Sequence, residues 1–121
     1  MQRRLQKPIH EVFNDGFLRY GRRKTKRDEA RKRIGEEFVE EGKLAFRLLN
    51  AREEDYRFAG VMGASLDLKV KTRYPPSFKN VRKSNLKSVI DGIEYDVIDV
   101  DRDNDKRYLY FYLQEVGVTS E

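Results

Sequence analysis

The chain has 121 residues, 39% charged and 38% hydrophobic, and its 26 Lys or Arg against 21 Asp or Glu give a formal net charge of +5. This length accommodates one domain with a modest core, and the absence of cysteine excludes disulfides and thiolate metal sites. No apolar run approaches the roughly 18 residues of a membrane-spanning helix, and none forms a signal-peptide core, so we expect a soluble, cytosolic protein with no membrane partner.

The first predicted strand follows a basic N-terminal segment. Residues 1–12 lack periodicity and include Pro8, which predicts a flexible arm. Residues 14–16 (Asn-Asp-Gly) predict a turn, and residues 17–20 predict a short strand that can continue to Arg22. Residues 24–42 alternate in charge and contain few apolar residues. This stretch predicts either a long hairpin loop or a second strand that pairs late, around residues 37–39.

Basic residues are concentrated in this first third of the chain. Residues 1–33 contain 12 Lys or Arg against four Asp or Glu, whereas the remainder is close to balanced. Such a cluster predicts contact with phosphate or with an acidic partner, and a solvated basic segment is an equally good interpretation. Without interleaved aromatic residues, stacking on single-stranded bases is not indicated. The candidate contact residues are Arg22, Arg23, Lys24, Lys26 and Arg27, followed by Arg31, Lys32 and Arg33.

A half-buried strand and a short helix come next. Leu44, Phe46 and Leu48 alternate with more polar residues, which predicts a strand over residues 43–49. Asn50 stands where an N-cap belongs, and Glu53 is three residues further on, so we expect a helix over residues 51–61 with an acidic first turn. Glycines end this helix. A helix this short is marginal alone, so it should pack through Tyr56 and either Ala59 or Phe58.

The clearest alternation in the chain lies at residues 66–72. It predicts a strand with Leu66, Leu68 and Val70 pointing inward. The Tyr-Pro-Pro sequence at residues 74–76 ends this strand, because proline cannot donate to a sheet ladder. Residues 77–85 are polar and predict a connection.

Three further strands are predicted between residues 86 and 116. Asp91-Gly92 lies between two apolar, β-branched runs, which predicts a hairpin with a tight primed turn. In the last strand, Leu109, Phe111 and Leu113 point one way, and three tyrosines point the other. Either both faces are covered within the domain or the tyrosine face meets a partner. The tyrosines, which we assign as candidate subunit contacts, are Tyr108, Tyr110 and Tyr112.

Together these elements predict a mainly β protein. We expect a small antiparallel β-barrel or sandwich of about six strands with one short helix. The domain should span residues 13–117, between the flexible arm of residues 1–12 and a C-terminal tail of residues 118–121.

The residue types that catalysis or metal binding needs are scarce. The single histidine, His10, lies in the least structured stretch, and the chain has neither a Gly-rich phosphate loop nor a nucleophile elbow. The aspartates of residues 99–105 have the spacing of a calcium loop, but Asn104 replaces its glycine and Tyr110 its final glutamate. A solvated turn is the better interpretation. We therefore expect no catalytic residue, no metal, no cofactor and no enzymatic activity.

Four segments, taken in order, resemble the bacteriophage head–tail joining proteins, also called head closure or stopper proteins. They are a strand that leads into a helix with an acidic start (LLNAREEDYRFA, 48–59), a strand that ends in an aromatic-Pro motif (LKVKTRYPPSF, 68–78), a hairpin (VIDGIEYDV, 89–97) and a terminal strand (LYFYL, 109–113). The resemblance covers about residues 14–117. The charged stretch 24–42 and the basic leader 1–8 depart from it.

This resemblance implies a small β-barrel that assembles into a ring, commonly of twelve subunits, beneath the portal and its adaptor. The ring would close the head after DNA packaging and join it to the tail, with packaged DNA in its channel. Adaptor, portal and tail proteins would be its partners, in the neck of the virion and in the host cytoplasm during assembly. The isolated protein would be a monomer, since its high charge is unusual for an obligate interface.

By position, the resemblance also implies that residues 50–65 form a loop that projects toward the channel and helps to close it. The acidic start of the helix would repel DNA and so let it pass. Two alternatives remain open: a tail-completion or tail-terminator protein of the same virion, and a DNA-binding β-barrel module. The candidate gate residues are Glu53, Glu54, Asp55, Tyr56, Arg57, Gly60 and Gly63.

Overall fold

The computed structural model describes residues 11–118, which form six antiparallel strands, one α-helix and one 3₁₀-helix. The strands close into a barrel in the order β1-β2-β3-β6-β5-β4, which confirms the predicted fold class. Residues 1–10, which include His10 and most of the predicted arm, and residues 119–121 of the predicted tail lie outside the described residues. The elements are β1 Gly16–Arg27, β2 Arg33–Leu49, α1 Glu53–Val61, β3 Leu68–Arg73, the 3₁₀-helix Pro76–Asn80, β4 Lys87–Ile90, β5 Ile93–Arg102 and β6 Tyr108–Val118.

Alternate residues of the strands fill the barrel. Leu109, Phe111 and Leu113 are each at most 2% exposed, which confirms that this side of β6 points inward. Removing such side chains from water is the main favourable contribution to folding, at about 1.5–3 kcal/mol for each large apolar residue. The other strands contribute Leu18, Tyr20, Phe46, Val70, Ile90, Tyr95 and Val100 to the same cluster.

Residues 77–85 are more than the polar connection that the sequence predicts. Within the 3₁₀-helix, Phe78 is only 4% exposed and joins the barrel core. Its ring meets those of Tyr20 and Phe111 edge to face, with centroids 5.2 and 5.8 Å apart. A single aromatic residue in a polar segment has no periodicity, so only the tertiary structure reveals that Phe78 covers one end of the barrel. The preceding Tyr-Pro-Pro sequence does end β3, at Arg73.

The predicted long hairpin loop at residues 24–42 is wrong, and the alternative of late pairing around residues 37–39 is too short. Instead, β1 and β2 are each continuous strands, and they pair with each other as far as Arg27 and Arg33. Beyond Gly21, β1 pairs only with β2, because β4 contacts β1 at residues 19–21 alone. Residues 22–38 therefore form a two-stranded extension of the barrel, which we call the ribbon. Both of its faces meet solvent over most of its length, so it needs no apolar alternation.

A β-bulge marks the junction of barrel and ribbon. Tyr20 pairs with Gly42 and Gly21 with Glu40, so one residue of β2 is left without a partner in the register. A Cβ atom on Gly42 would lie 2.2 Å from the Tyr20 hydroxyl, and one on Gly21 would lie 2.0 Å from the Val39 carbonyl oxygen. Both glycines are required because no side chain fits at either position.

The connection between β2 and β3 contains α1, which begins later than predicted. Its N-cap is Arg52 rather than Asn50. The Asp55 carboxylate, not that of Glu53, accepts the returning hydrogen bond from the Arg52 N–H at 2.9 Å. Leu48, expected to face inward on the preceding strand, is 48% exposed because it lies near the end of the barrel.

Gly63 ends α1, and Gly60 lies within it. Gly63 has φ +72°, and the Ala64 N–H donates to the Ala59 carbonyl at 2.8 Å while the Gly63 N–H donates to the Gly60 carbonyl at 2.9 Å. These two hydrogen bonds form the common glycine-terminated end of a helix. β3 then begins at Leu68, two residues later than predicted. Leu66 is nevertheless buried, as expected.

The C-terminal strands agree with the prediction. Asp91 and Gly92 have φ values of +50° and +78°, the left-handed conformations that a type I′ hairpin requires. The next turn is closed by Asp103, whose carboxylate accepts the N–H groups of Arg107 at 2.7 Å and Tyr108 at 3.1 Å. These bonds match the solvated turn that the sequence favours over a calcium loop.

We predict that Gly42→Ala lowers the free energy of unfolding by about 1–3 kcal/mol, because the new methyl group forces Tyr20 out of place. Urea denaturation measures the loss. Gly60→Ala is the matched control, since a Cβ there meets nothing within 4 Å. It should leave stability unchanged or raise it by up to about 1 kcal/mol. Equal effects of the two variants would contradict the assignment of Gly42 as a packing requirement.

Candidate functional site

Three strands present an ordered outer surface centred on β6, which we call the tyrosine face. The register places Lys69 of β3 and Asp99 of β5 on either side of Tyr112, and it places Lys71 and Asp101 on either side of Tyr110. Arg73 lies beside Tyr108. The tyrosine face thus consists of a row of cations, a row of tyrosines and a row of aspartates.

The cations of β3 lie over the tyrosine rings. The ammonium nitrogen of Lys71 is 4.1 Å from the centroid of Tyr108 and 5.6 Å from that of Tyr110. That of Lys69 is 5.3 Å from the Tyr112 centroid. Each such contact contributes about 0.5–1 kcal/mol where it is exposed and more where water is excluded. The lysines of β3 therefore contact the three tyrosine rings from one side.

Two aromatic residues cover the ends of the tyrosine row. Phe13 stacks on Tyr108 with ring centroids 6.0 Å apart, and Phe58 of α1 contacts Tyr112 at 5.5 Å. Tyr110, in the middle of the row, contacts neither Phe13 nor Phe58, and it borders an open pocket of about 610 Å³. Thus the domain covers part of its own tyrosine face and leaves the centre accessible. The assignment of the three tyrosines as subunit contacts stays a prediction.

Two of the three cations in the row form ion pairs within the chain. Lys69 pairs with Asp55 at 3.1 Å, and Lys71 pairs with Glu11 at 2.8 Å. Burial lowers the pKa of Lys71, but the hydrogen bond to Glu11 and the nearby oxygens of Tyr110 and Glu11 outweigh it, so the pKa is raised. Burial likewise raises the pKa of Asp55, but hydrogen bonds from the Arg52 N–H and Lys69 bring the net pKa below its usual value. The Asp55 carboxylate and the Lys71 ammonium group are therefore charged at neutral pH.

The aspartate row, by contrast, has no such counterions. Among residues 11–118, neither Asp99 nor Asp101 forms an ion pair, and Asp101 is exposed. The carboxylates act on the adjacent ring: burial, then Asp55, Asp101 and Asp99, raise the pKa of Tyr112 to about 12. The β5 side of the tyrosine face therefore carries uncompensated negative charge.

The candidate gate residues take two different roles on α1. Asp55 is 9% exposed and attaches the helix to the barrel through Lys69, and its assignment as a gate residue stays a prediction. Glu53 is exposed and pairs with Arg57 at 2.8 Å. Ala59 and Phe58 provide the packing that the sequence predicts, whereas Tyr56 is 54% exposed and does not. Glu54 is exposed, and Gly60 and Gly63 belong to the end of the helix described above.

The basic residues predicted to contact a partner fall into two groups, which differ in whether they contact the barrel. Arg22 pairs with Glu41 at 2.9 Å and donates to the backbone carbonyls of Arg82 and Ser84. Arg23 holds the carboxylate of Glu94, which is 4% exposed, through three hydrogen bonds of 2.5–3.1 Å. These two arginines attach the base of the ribbon to the barrel.

The part of the ribbon beyond Arg23, which we call the distal ribbon, has no such attachment to the barrel among residues 11–118. Lys24, Lys26 and Lys32 are exposed and form no ion pair with any residue between 11 and 118. Arg27 donates to the Arg31 carbonyl within the turn at 3.1 Å. Residues 24–37, which include the paired strands and the turn beyond Arg23, contain six basic and four acidic residues, so the end of the ribbon has a net positive charge. Arg33 pairs with Glu36 at 3.4 Å, so of the predicted contact residues it is Lys24, Lys26 and Lys32 that are exposed and form no ion pair with residues 11–118.

Sequence reasoning missed the cation and aspartate rows of the tyrosine face. Their signal was present, because Lys69, Lys71 and Arg73 occupy alternate positions, as do Asp99 and Asp101. Alternation alone, however, does not reveal which strands are neighbours. In the described part of the chain, no three His, Cys, Asp or Glu residues converge as metal ligands. None of its helices has the length and apolar character of a membrane span.

The ionisation of Tyr112 provides one test of the tyrosine face. We predict that an absorbance titration of the phenolate detects one tyrosine with a pKa near 12, which Tyr112→Phe removes. Because this pKa exceeds the unfolded value of about 10, Tyr112 contributes stability that is complete below pH 10 and is lost as the pH rises to 12. Asp101→Asn should lower the pKa only in part, since burial is the larger cause. A normal pKa for Tyr112 would contradict this arrangement.

A second test separates the two parts of the basic cluster. Arg23→Ala leaves the Glu94 carboxylate buried without its main partner and should cost about 2–3 kcal/mol, below the values for fully buried pairs because Arg23 is partly exposed. Lys24→Ala is the neighbouring control and should change stability by less than about 0.5 kcal/mol. Adding Glu94→Gln to Arg23→Ala should recover part of the loss. Urea denaturation that gives equal losses for the two single variants would contradict the division.

Comparison with known proteins gives no functional assignment for this chain. No protein-family model matches the chain, and no curated protein matches it either. The arguments for function therefore come from the tyrosine face, the ribbon and the loop that contains α1.

Proposed function

We propose that this protein is a structural subunit of the connector of a tailed bacteriophage, which closes the head after DNA packaging and joins it to the tail. In this proposal it forms a ring beneath the portal and adaptor, and it has no catalytic role. The observation that carries the proposal is the long excursion between β2 and β3 of a small closed barrel. Following the resemblance of the sequence to the head closure proteins, we assign this excursion, with its acidic helix, as the channel loop.

The anchoring of α1 supports a role for this loop as a hinged element. Its fixed side consists of Asp55, Phe58 and Ala59, which contact the barrel. Its other side exposes Glu53 and Tyr56, and Val61 at its end is 86% exposed. In the proposed ring, the exposed side meets the channel or a neighbouring protein.

Electron microscopy of the portal and adaptor, co-expressed with this protein, tests the proposal directly. We expect an added ring of density beneath the adaptor, with the loop of residues 50–65 directed toward the channel. A portal–adaptor complex that gains no density would contradict the proposal. Density at the end of the tail instead would favour the alternative of a tail-completion or tail-terminator protein.

Substitution of Tyr110 tests the use of the tyrosine face in the ring. Tyr110→Ser should prevent ring formation and lower the free energy of unfolding by less than about 1 kcal/mol, because no aromatic residue covers this ring within the domain. Tyr112→Ser is the contrasting variant, which loses the contact with Phe58 and should destabilise the fold by about 2–4 kcal/mol. Ring formation by the Tyr110 variant in micrographs, with unchanged melting temperature, would exclude the centre of the tyrosine face as a subunit contact.

The free cations of the ribbon favour a second candidate function, a DNA-binding β-barrel module. Phosphate contacts require only charge and reach, and Lys24, Lys26 and Lys32 have both. Fluorescence anisotropy with duplex DNA between 50 and 200 mM salt distinguishes this candidate. Affinity that falls steeply with salt would support it, and a flat response would exclude it.

A further inference from the structure

We infer that the distal ribbon of one copy of this protein binds the aspartate side of the tyrosine face on a second copy. The inference deepens the proposed function and rests on it for the setting of the ring. It names the contact between neighbouring subunits, and it is argued from the charges and positions of the described residues alone.

The first argument is the charge that each surface leaves uncompensated. Lys24, Lys26 and Lys32 of the ribbon have no ion-pair partner in residues 11–118, and Asp99 and Asp101 of the tyrosine face have none either. The nearby cations Lys69 and Lys71 are already paired with Asp55 and Glu11. One protruding positive surface and one negative surface therefore remain unmatched on the same chain.

The second argument is shape. The ribbon extends β1 from Arg22 to Arg27, six residues that reach about 20 Å beyond the barrel pairing. The tyrosine face is a broad sheet surface on which Asp101 pairs in register with Tyr110, and Asp101 is exposed. Lys71 and Lys69 already lie over the Tyr110 ring from the β3 side, so a lysine of the ribbon that reaches the β5 side meets the Asp101 carboxylate.

The third argument is the position of the two surfaces on the barrel. In the closed strand order, β4 separates β1 from the aspartate-bearing β5, and β3 separates β2 from β6, so the ribbon and the aspartate row leave the barrel from different strands. Two unlike, complementary patches at different places on a subunit can form head-to-tail contacts, which close into a ring or continue as a filament.

This arrangement accounts for the charged composition of the ribbon. Exposed ion pairs contribute only about 0–1 kcal/mol each, so a contact made of a few of them is weak between free subunits. It becomes effective when a portal or adaptor holds the subunits side by side, because the effective concentration is then high. This agrees with the expectation of a monomer in isolation and a ring in the connector.

Disulfide trapping tests the contact, and the absence of cysteine from the chain makes it specific. Purified Lys26→Cys protein is mixed with Asp101→Cys protein at high concentration and low salt under mild oxidation. Mass spectrometry should detect the mixed disulfide at least fivefold above a mixture of Lys79→Cys with Asp101→Cys. Lys79 is an equally exposed lysine on the 3₁₀-helix at the end of the barrel. A yield no greater than that of the Lys79 control would overturn the inference.

Charge exchange provides the second measurement. The inference predicts a weak association of the unsubstituted protein at low salt, measured by sedimentation. Lys24→Glu/Lys26→Glu and Asp101→Lys should each abolish it, and mixing the two variants should restore it. Restoration is expected because the acidic ribbon of one variant then meets the basic face of the other, while the remaining contact keeps its native charges. All substituted residues are exposed, and melting temperatures verify the folds. A mixture that stays monomeric would refute the contact.

These experiments also distinguish the inference from DNA binding and from the proposed function. If the ribbon variant loses affinity for duplex DNA while trapping stays at the control level, the partner of the ribbon is nucleic acid, and the inference is wrong. If a ring assembles beneath the adaptor with Lys24→Glu/Lys26→Glu in place, the proposed function stands and the inference fails. If trapping succeeds but no ring joins a portal, the inference stands and the proposed function fails.

Discussion

β6 pairs with β3 along one edge and with β5 along the other, and the outward chemistry of the barrel depends on this double pairing. Because successive side chains of a strand alternate, burial of Leu109, Phe111 and Leu113 forces the three tyrosines outward. The register with β3 then places lysines on one side of them, and the register with β5 places aspartates on the other. A shift of one residue in either register would bring the wrong face outward and would expose the core.

The same constraint explains why the tyrosine face is partly closed. A row of tyrosines exposes much apolar area, and the domain covers part of it with Phe13, Phe58 and the ammonium groups of Lys69 and Lys71. α1 is attached to the barrel through this surface, by Phe58 against Tyr112 and by Asp55 against Lys69. The helix and the tyrosine face are therefore coupled. A partner that binds near Tyr110 would contact the structure that holds the loop of residues 50–65 in place.

The ribbon obeys a different constraint. Its strands have no third neighbour, so their backbone pairing is supported by cross-strand contacts and by the attachment at its base. Arg22 and Arg23 provide that attachment, and the bulge at Gly21 and Gly42 redirects the strands as they leave the barrel. Beyond the base, an exposed two-stranded ribbon with many lysines resists edge-to-edge aggregation. The free cations are consistent with both solubility and a negatively charged partner.

The sequence by itself determined the mainly β class, the Asp91-Gly92 hairpin, the end of β3 at the prolines and the inward face of β6. Each of these depends on local chemistry: the φ that glycine accepts, the donor that proline lacks, and the alternation of side chains along a strand. It did not determine the ribbon, because a hairpin solvated on both faces has the charge pattern of a loop. Only the tertiary structure decided which charges lie together, since strands 30 or more residues apart in sequence meet as neighbours in the closed barrel. That pairing joined Lys69, Tyr112 and Asp99 into one surface, assigned Arg23 to Glu94, and placed Phe78 in the core.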